Sequence, residues 1–291
     1  MNNFLFLGGD MRSVYAAKRL SAHYDYDCFI YGFEKSAIPD MRVLRELTKC
    51  QSVVLPLPAS VDGVNINAPY FEKPLPLSII PEAVNAGGIV YCGRSTPALR
   101  ELCAQNNLKL VDYFEREELI VMNAVPTAEG CLEIIIRESG STVFGAEILL
   151  TGYGRISKVT ADYLVALGAK VTVAARKYCD LAWVEIAGCR PLHFSSLDSE
   201  LSRFDIIINT VPAQIFDSER LKLLKQGCLI VDLASKSGLE DMEAARREGI
   251  NVIWALSIPG KSSPVTAGNI IADTIINIMA ENSAAGGEDD A

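Results

Sequence analysis

Two glycines and two cations carry the chemistry this sequence displays most plainly. The run 149–157, LLTGYGRIS, sets Gly152 and Gly154 between an apolar strand and an amphipathic helix. Gly152 permits a tight turn, and Gly154 lets the backbone approach a pyrophosphate. The N–H groups that open the helix, at Arg155 and Ile156, lie at the positive end of its dipole and face the anion. Ser157 stands where a dinucleotide turn has its third Gly or Ala, and it is small enough to keep helix and strand close. The next strand, 170–174, runs into Ala175, Arg176 and Lys177. An acid at that place would accept hydrogen bonds from the adenosine ribose and repel a 2′-phosphate. Ala175 removes the repulsion, Arg176 offers a planar fork matched to phosphate, and Lys177 adds a second cation. Within a strand–turn–helix–strand unit, these residues imply a dinucleotide with a 2′-phosphate, NADP(H) in preference to NAD(H). The alternative is a structural turn followed by a solvated basic pair.

Two later strand ends extend the same edge. The run 205–212, DIIINTVP, presents Thr210, Val211 and Pro212, and 231–235, VDLAS, presents Leu233, Ala234 and Ser235. Ligands of open α/β sheets gather beyond the carboxyl ends of strands, so ribose and nicotinamide would pass here. Asn209 and Asp232 are either neighbours of that ligand or strand-end caps.

The elements that must position these residues alternate almost throughout. Short apolar strands are expected at 3–8, 28–32, 52–56, 89–93 and 108–113, with helices at 11–22 and 96–106. A second alternating block has strands at 147–151, 170–174, 190–194, 205–210, 228–233 and 251–255. Its helices are expected at 155–167, 179–187, 217–224 and 238–248. Thr127 is expected to cap a helix running to about 139, and a last helix to span about 266–279. The segment 56–81 holds six prolines and is expected to be a long irregular loop. The fold class is therefore α/β: two Rossmann-like, doubly wound parallel-sheet domains with a cleft between them. The boundaries expected are 1–126 plus 266–291 for an N-terminal substrate domain with a returning C-terminal helix. The linker helix and nucleotide domain take 127–265.

Composition narrows the partners. At 291 residues and net charge −9, the chain is long enough for two domains and too acidic to favour nucleic acid. Eight cysteines form no C-x-x-C pair and stand near no histidine at metal spacing, so buried reduced thiols and no metal site are expected. The start, MNNFLFLGGD, lacks a charged leader region, and no uninterrupted apolar run approaches the roughly 20 residues of a membrane helix. A soluble, cytoplasmic protein is the expectation, with a small acidic tail, 283–291, lacking order.

These motifs together resemble a known family. GGDMR at 8–12, FER at 114–116, NAVPTAEG at 123–130, GYGR at 152–155, AAR at 174–176, NTVP at 209–212, DLAS at 232–235 and PGKSSPVTAG at 259–268 are similar to the A subunits of dipicolinate synthase. The likeness spans nearly the whole chain, and the patterns N-x-x-P-T-x-E-G and P-G-x-x-x-P-x-T-A-G are more specific than the glycine turn. The family has Gly at position 157, so Ser157 is a departure. The resemblance implies NADP-dependent oxidation of dihydrodipicolinate, or of its hydrated precursor, to dipicolinate during sporulation. It also implies partnership with a flavoprotein-like B subunit and a place in the mother-cell cytoplasm; a homo-oligomer is a separate expectation.

Residues suited to that chemistry can be named. A dicarboxylate substrate needs cations, hydroxyls or backbone donors. Arg12, Ser60, Arg94 and Ser95 offer them in the first domain, Asn123 and Thr127 at the junction, and Lys261, with Ser262 and Ser263, after the Pro259–Gly260 turn. For catalysis Asp10, Glu129 and Thr127 are the expected residues, the two acids for proton removal. Each has a plainer alternative as a helix cap or solvated surface group. Of two histidines, His23 and His193, neither adjoins a motif, so structural roles are expected for both. Another NADP-dependent amino- or hydroxy-acid dehydrogenase remains open, as does a non-catalytic NADP-binding regulator.

Overall fold

The computed structural model describes residues 3–33 and 41–288, and it divides into two compact units. One unit takes the chain as far as Asn123 together with residues from Ser263 onwards; the other takes Ala124–Ser262.

The first unit opens with β1 (Asn3–Leu7), α1 (Met11–Tyr24), β2 (Asp27–Tyr31), β3 (Arg42–Val43) and β4 (Cys50–Val54). A small antiparallel pair, β5 (Asn65–Ile66) and β6 (Leu75–Pro76), leads to α2 (Ile80–Ala83). Then come β7 (Val84–Cys92), α3 (Pro97–Gln105), β8 (Lys109–Asp112) and α4 (Glu117–Met122). All pairs in its main sheet are parallel, in the order β3-β2-β1-β4-β7-β8. The alternation of β1 explains why both faces must be covered. Phe4 and Phe6 join Val14, Ala17 and Leu20 of α1 on one face, while Leu5 and Leu7 join Leu99 and Cys103 of α3 on the other.

The second unit begins with α5 (Ala124–Glu138), β9 (Glu147–Thr151), α6 (Arg155–Ala166), β10 (Lys170–Ala175) and α7 (Tyr178–Ile186). It continues through β11 (Arg190–His193), β12 (Ile206–Asn209), α8 (Ser218–Lys222), β13 (Leu229–Asp232), α9 (Met242–Arg247), β14 (Asn251–Trp254) and α10 (Ile258–Ser262). Its sheet is again wholly parallel, β11-β10-β9-β12-β13-β14. Ile148 and Leu150 pack with α5 and α6, and Leu149 packs on the opposite face with Leu221 and Ala245. Both sheets thus share the strand order of doubly wound nucleotide-binding folds, whose switch point lies between the first and fourth strands.

Four expectations need correcting. Thr127 is not the N-cap of its helix: the helix starts at Ala124, and Thr127 is buried in its interior. Residues 56–81 are not one irregular loop, because β5, β6 and α2 organise them. The run 259–268 is not an open turn and loop. Pro259 and Pro264 fall in the first turns of α10 and α11 (Pro264–Glu288), where a missing N–H costs little. The tail is helical as far as Glu288, and 289–291 lie outside the described residues. In addition, the run Glu117–Glu138 has the length and apolar character of a membrane span, yet half of its apolar window is buried inside the protein, as in a core helix.

The thiols are free, and seven of the eight are buried. Burial pushes Cys28, Cys131 and Cys228 up to about 12 and Cys103 up to about 11. Only Cys179, on α7, is exposed. Because the thiolate is the nucleophile, iodoacetamide at neutral pH is expected to add one label to the folded protein, at Cys179. Mass spectrometry should find all eight labelled after unfolding; several labels in the folded state would contradict the burial.

Candidate functional site

The second unit gathers the expected cofactor residues on one edge, at the carboxyl ends of β9, β10, β12 and β13. Gly152 has φ +83°, and a Cβ there would lie 2.8 Å from Val211 Cγ2 and 3.1 Å from Thr210 Oγ1, so this turn admits only glycine. Gly154 is the N-cap of α6, and no side chain caps that helix. A Cβ built on Gly154 meets nothing within 4 Å. The first turn of a twelve-residue helix is therefore open toward a space that a pyrophosphate could occupy.

Ser157, the departure from the glycine pattern, is buried, and its hydroxyl stands 2.9 Å from Thr210 Oγ1. Thr210 gives its own proton to the Thr151 carbonyl at 2.8 Å. Ser157 must therefore donate to Thr210, which ties α6 to the loop after β12. The hydroxyl that replaces Gly or Ala is used, not merely tolerated.

Ala175 is buried at the end of β10, and Arg176 and Lys177 are exposed beyond it. Arg137, Arg190, Arg203, Arg220, Arg246 and Arg247 of this unit all pair with carboxylates. Arg176 makes no ion pair among the described residues, in a protein of net charge −9. Its backbone is nevertheless held. His193 Nε2 lies 3.2 Å from the Arg176 carbonyl, and Nδ1 accepts from the Ser195 N–H at 3.3 Å. A carbonyl can only accept and an amide N–H only donate, so the ring carries its proton on Nε2. Tyr178 stacks on the same ring at 5.1 Å. The structural role expected for His193 is thus local to the basic turn, visible once β10 and β11 pair Ala175 with His193.

Behind the edge lies a buried polar row. Thr151, Asn209 and Asp232 are opposite one another across three strands and fully buried. Thr151 donates to Asn209 Oδ1 at 2.6 Å, and Asn209 Nδ2 donates to Asp232 Oδ1 at 2.8 Å. Asp232 also accepts the N–H groups of Ala234 and Gly238 at 3.0 and 2.7 Å. Asn209 holds Val211 through both its N–H and its carbonyl. Of the two roles open to Asn209 and Asp232, the geometry gives strand-end capping: they fix the loops that carry Thr210–Pro212 and Leu233–Ser235.

In the first unit Asp10, Arg12, Ser60, Arg94 and Ser95 also follow carboxyl strand ends, but with unequal freedom. The Gly8–Gly9 turn, an echo of the glycine turn in the other unit, is closed: the Gly9 N–H donates to Asn67 O at 2.8 Å, and Ile66 and Ala68 crowd Gly8. Asp10 caps α1 and forms a bidentate pair with Arg12, whose guanidinium also reaches the Leu57 carbonyl. Ser60 donates to Asp62 and accepts from the Gly63 N–H. Arg94 adopts φ +60° and its side chain is exposed. Ser95 Oγ is buried with no partner among the described residues. Asp112, which sequence reasoning passes over, organises this turn by accepting the N–H groups of Arg94, Ser95 and Phe114 at 2.9, 2.6 and 3.0 Å. The signal is an acid at the end of an edge strand, where three amides need an acceptor.

The remaining expected residues lie on helices. Asn123 is half-buried between α4 and α5, and Glu129 is exposed on α5. Lys261, on α10, lines a pocket with Glu133, Arg137, Trp254 and Leu256. No cluster of metal-ligating side chains occurs among the described residues.

Comparison with known proteins separates the two units. Residues 3–114 match the N-terminal domain of the dipicolinate synthase A subunit, and residues 134–244 match the NAD-binding domain of D-isomer specific 2-hydroxyacid dehydrogenases. The dipicolinate synthase A subunit of Bacillus subtilis is 29% identical over 97% of both chains. D-3-phosphoglycerate dehydrogenase of Mycobacterium tuberculosis is 37% identical over 38% of this chain and 21% of its own. The crystal structure of the dipicolinate synthase A subunit from Bacillus halodurans superposes with a TM-score of 0.85 at 29% identity, covering 96% of this chain and 98% of that one. A nicotinamide cofactor fits the open Gly154 cradle and the uncapped start of α6. Along nearly its whole length, therefore, the chain is similar to the dipicolinate synthase A subunits, and it is an oxidoreductase of the dehydrogenase type.

Proposed function

We propose that the protein oxidises dihydrodipicolinate, or its hydrated precursor, to dipicolinate with NADP+, in the cytoplasm of the mother cell of a sporulating bacterium. A flavoprotein-like B subunit would be its partner, and the protein would itself form a homo-oligomer. The observation that carries the cofactor choice is Arg176: a cation without a carboxylate, following a residue too short to hold the ribose or repel a phosphate. When bound, the cofactor supplies the hydride acceptor, and the second hydrogen leaves the substrate as a proton.

The chain's own residues have narrower tasks. Gly152, Gly154, Arg155 and Ile156 seat the pyrophosphate, Ala175, Arg176 and Lys177 the 2′-phosphate, and the loops at 210–212 and 233–235 orient the nicotinamide half. Aromatisation is strongly downhill, so no powerful base is required. Asp10 already accepts three N–H donors from Arg12, whereas Glu129 makes no hydrogen bond or ion pair among the described residues and is left to take the proton. Thr127, enclosed in α5, would position that segment, with Asn123 and Lys261 serving substrate binding.

The match to 2-hydroxyacid dehydrogenases favours a second reading, a hydroxy-acid dehydrogenase. His193 is committed to the basic turn, however, and His23 sits at the end of α1, so neither is placed as the acid–base histidine of such an enzyme. The protein with its B subunit should convert the fresh product of dihydrodipicolinate synthase to dipicolinate with growth of NADPH absorbance. Turnover of 2-hydroxy acids instead would favour the second reading.

Cofactor choice has its own test. Arg176→Ala is expected to weaken NADPH binding by roughly 1–3 kcal/mol, the scale of a charge-assisted hydrogen bond. Titration by NADPH fluorescence should show this while NADH affinity barely changes. Equal losses for both would remove Arg176 from phosphate recognition.

A further inference from the structure

We propose that the Arg94–Ser95 turn grips one carboxylate of the substrate and that Asp112 holds it in shape for that purpose. This rests on the reading of the substrate as a diacid, and it narrows the set of groups that sequence reasoning offers, in which Arg94 and Thr127 are favoured.

Four of the expected substrate residues follow the carboxyl ends of β1, β4 and β7, and two of them are spent. The Arg12 charge is met by Asp10, and its remaining reach goes to the Leu57 carbonyl. The Ser60 hydroxyl both donates and accepts inside its own turn. Arg94 and Ser95 are the pair left over. Arg12, Arg19, Arg42, Arg100 and Arg116 of this unit all have carboxylate partners. Arg94 and Arg45 have none among the described residues, and Arg45 lies beyond β3 at the far edge of the sheet. Next to Arg94, Ser95 Oγ is the buried side-chain polar atom without a partner among the described residues. Buried polar atoms are nearly always bonded, so an orphan hydroxyl next in sequence to an arginine with no carboxylate partner among the described residues points to an acceptor those residues do not supply. A carboxylate supplies one: it takes two parallel N–H bonds from a guanidinium and a third from a hydroxyl.

Asp112 does not compete for the cation. Its side chain is 6% exposed, and its oxygens are filled by the amides of Arg94, Ser95 and Phe114, with Arg100 at 3.9 Å. It is a positioning residue, keeping the turn left-handed at Arg94. The turn abuts the 56–59 loop, because the Ala59 N–H donates to Gly93 O at 2.8 Å. The grip therefore lies one strand beyond the switch point of the first sheet, against the loop that leaves β4, on the carboxyl edge where ligands of such sheets collect.

The test uses the whole chain with saturating NADP+ and calorimetric titration of dipicolinate and of picolinate, which lacks the second carboxylate. Arg94→Gly suits φ +60° and removes the whole side chain, cation included, without straining the turn. It is expected to weaken dipicolinate binding roughly tenfold to a hundredfold and to abolish the preference over picolinate, with NADPH affinity unchanged. Arg94→Lys should restore part of the loss. Ser95→Ala should weaken dipicolinate several-fold while raising the melting temperature of the free protein, since an unsatisfied hydroxyl is removed. If NADPH binds and Arg94→Gly keeps the wild-type affinity and preference, the grip is wrong and the cofactor assignment stands. If the wild type binds no pyridine nucleotide, the functional reading itself fails. A Ser95→Ala protein that melts lower and binds dipicolinate normally would show that the hydroxyl has a structural partner such as water, and would remove it from the grip.

Discussion

Alanine in place of Asp232 is expected to destabilise the second unit by on the order of 3–5 kcal/mol, since it strands several buried donors at once. The Ala234 and Gly238 N–H groups lose their acceptor, and Asn209 Nδ2 loses the shorter of its two bonds. None of these groups can turn to solvent without moving the loop. The Gly238 carbonyl in turn accepts from Ile215 and Phe216, so the disturbance spreads to a second segment. Asp232→Asn keeps one oxygen but faces an N–H with an amide nitrogen, so it should lose less than alanine. The readout is built in: both tryptophans, Trp183 and Trp254, lie in this unit, and Trp254 Nε1 donates to the Ala234 carbonyl of the affected loop. Urea unfolding followed by tryptophan fluorescence should show the midpoint fall, and NADPH affinity should fall with it. An unchanged midpoint would mean that the row contributes nothing to holding the cofactor loops.

The same row shows what a single chain makes legible. Strand 205–210 and the sequence 231–235 point to the right edge of the right sheet, because apolar runs ending in Thr, Asp or Ser are read locally. Whether Asn209 and Asp232 touch a ligand or each other depends on strand order, since β12 pairs with both β9 and β13. Nothing within either segment states that pairing. His193 is a parallel case. Seventeen residues separate it from Arg176, and only the β10–β11 register brings its ring to that carbonyl. Ser157 reads as a small departure from a pattern, while its hydrogen bond to Thr210, fifty-three residues away, explains why a hydroxyl is useful there. Spacing gathers the expected cofactor residues on one edge because glycine conformation and helix dipoles are local physics. On the substrate side the sequence offers many polar residues, with Arg94 and Thr127 favoured, and their internal pairing, Arg12 with Asp10 or Ser60 with Asp62, is what ranks the rest.

The run 259–268 is legible as a motif but reads as a loop, and its last glycine shows why it is none. Gly268 lies in α11 where that helix crosses α1, and a Cβ there would come 2.5 Å from the Arg12 carbonyl oxygen, 2.7 Å from Tyr15 Cβ and 2.9 Å from the Ala16 nitrogen. Two of the three obstacles are backbone, so no rotamer change relieves them. Glycine inside a helix is unfavourable by about 1 kcal/mol relative to alanine, and its presence here is explained by the close approach of the two helices. The contact is reinforced along the same pair by the bidentate Arg19–Asp273 bridge and by Ile271 and Ile275 in the core beside Val14 and Ala17. Gly268→Val is therefore expected to destabilise the first unit by about 3 kcal/mol or more, overpacking outweighing the gain in helix propensity. Tryptophan fluorescence is blind to this unit, so amide hydrogen exchange read by mass spectrometry is the measurement. Peptides from α1 and α11 should lose protection while those from β9–β13 keep theirs. Because Arg12 is the residue struck, its weakened hold on the Leu57 carbonyl should loosen the 56–59 loop that the Arg94–Ser95 turn abuts, and dipicolinate affinity should fall, with NADPH binding intact. Wild-type protection of α1 in Gly268→Val would show that the helices have room to spare, and the glycine would then need another explanation.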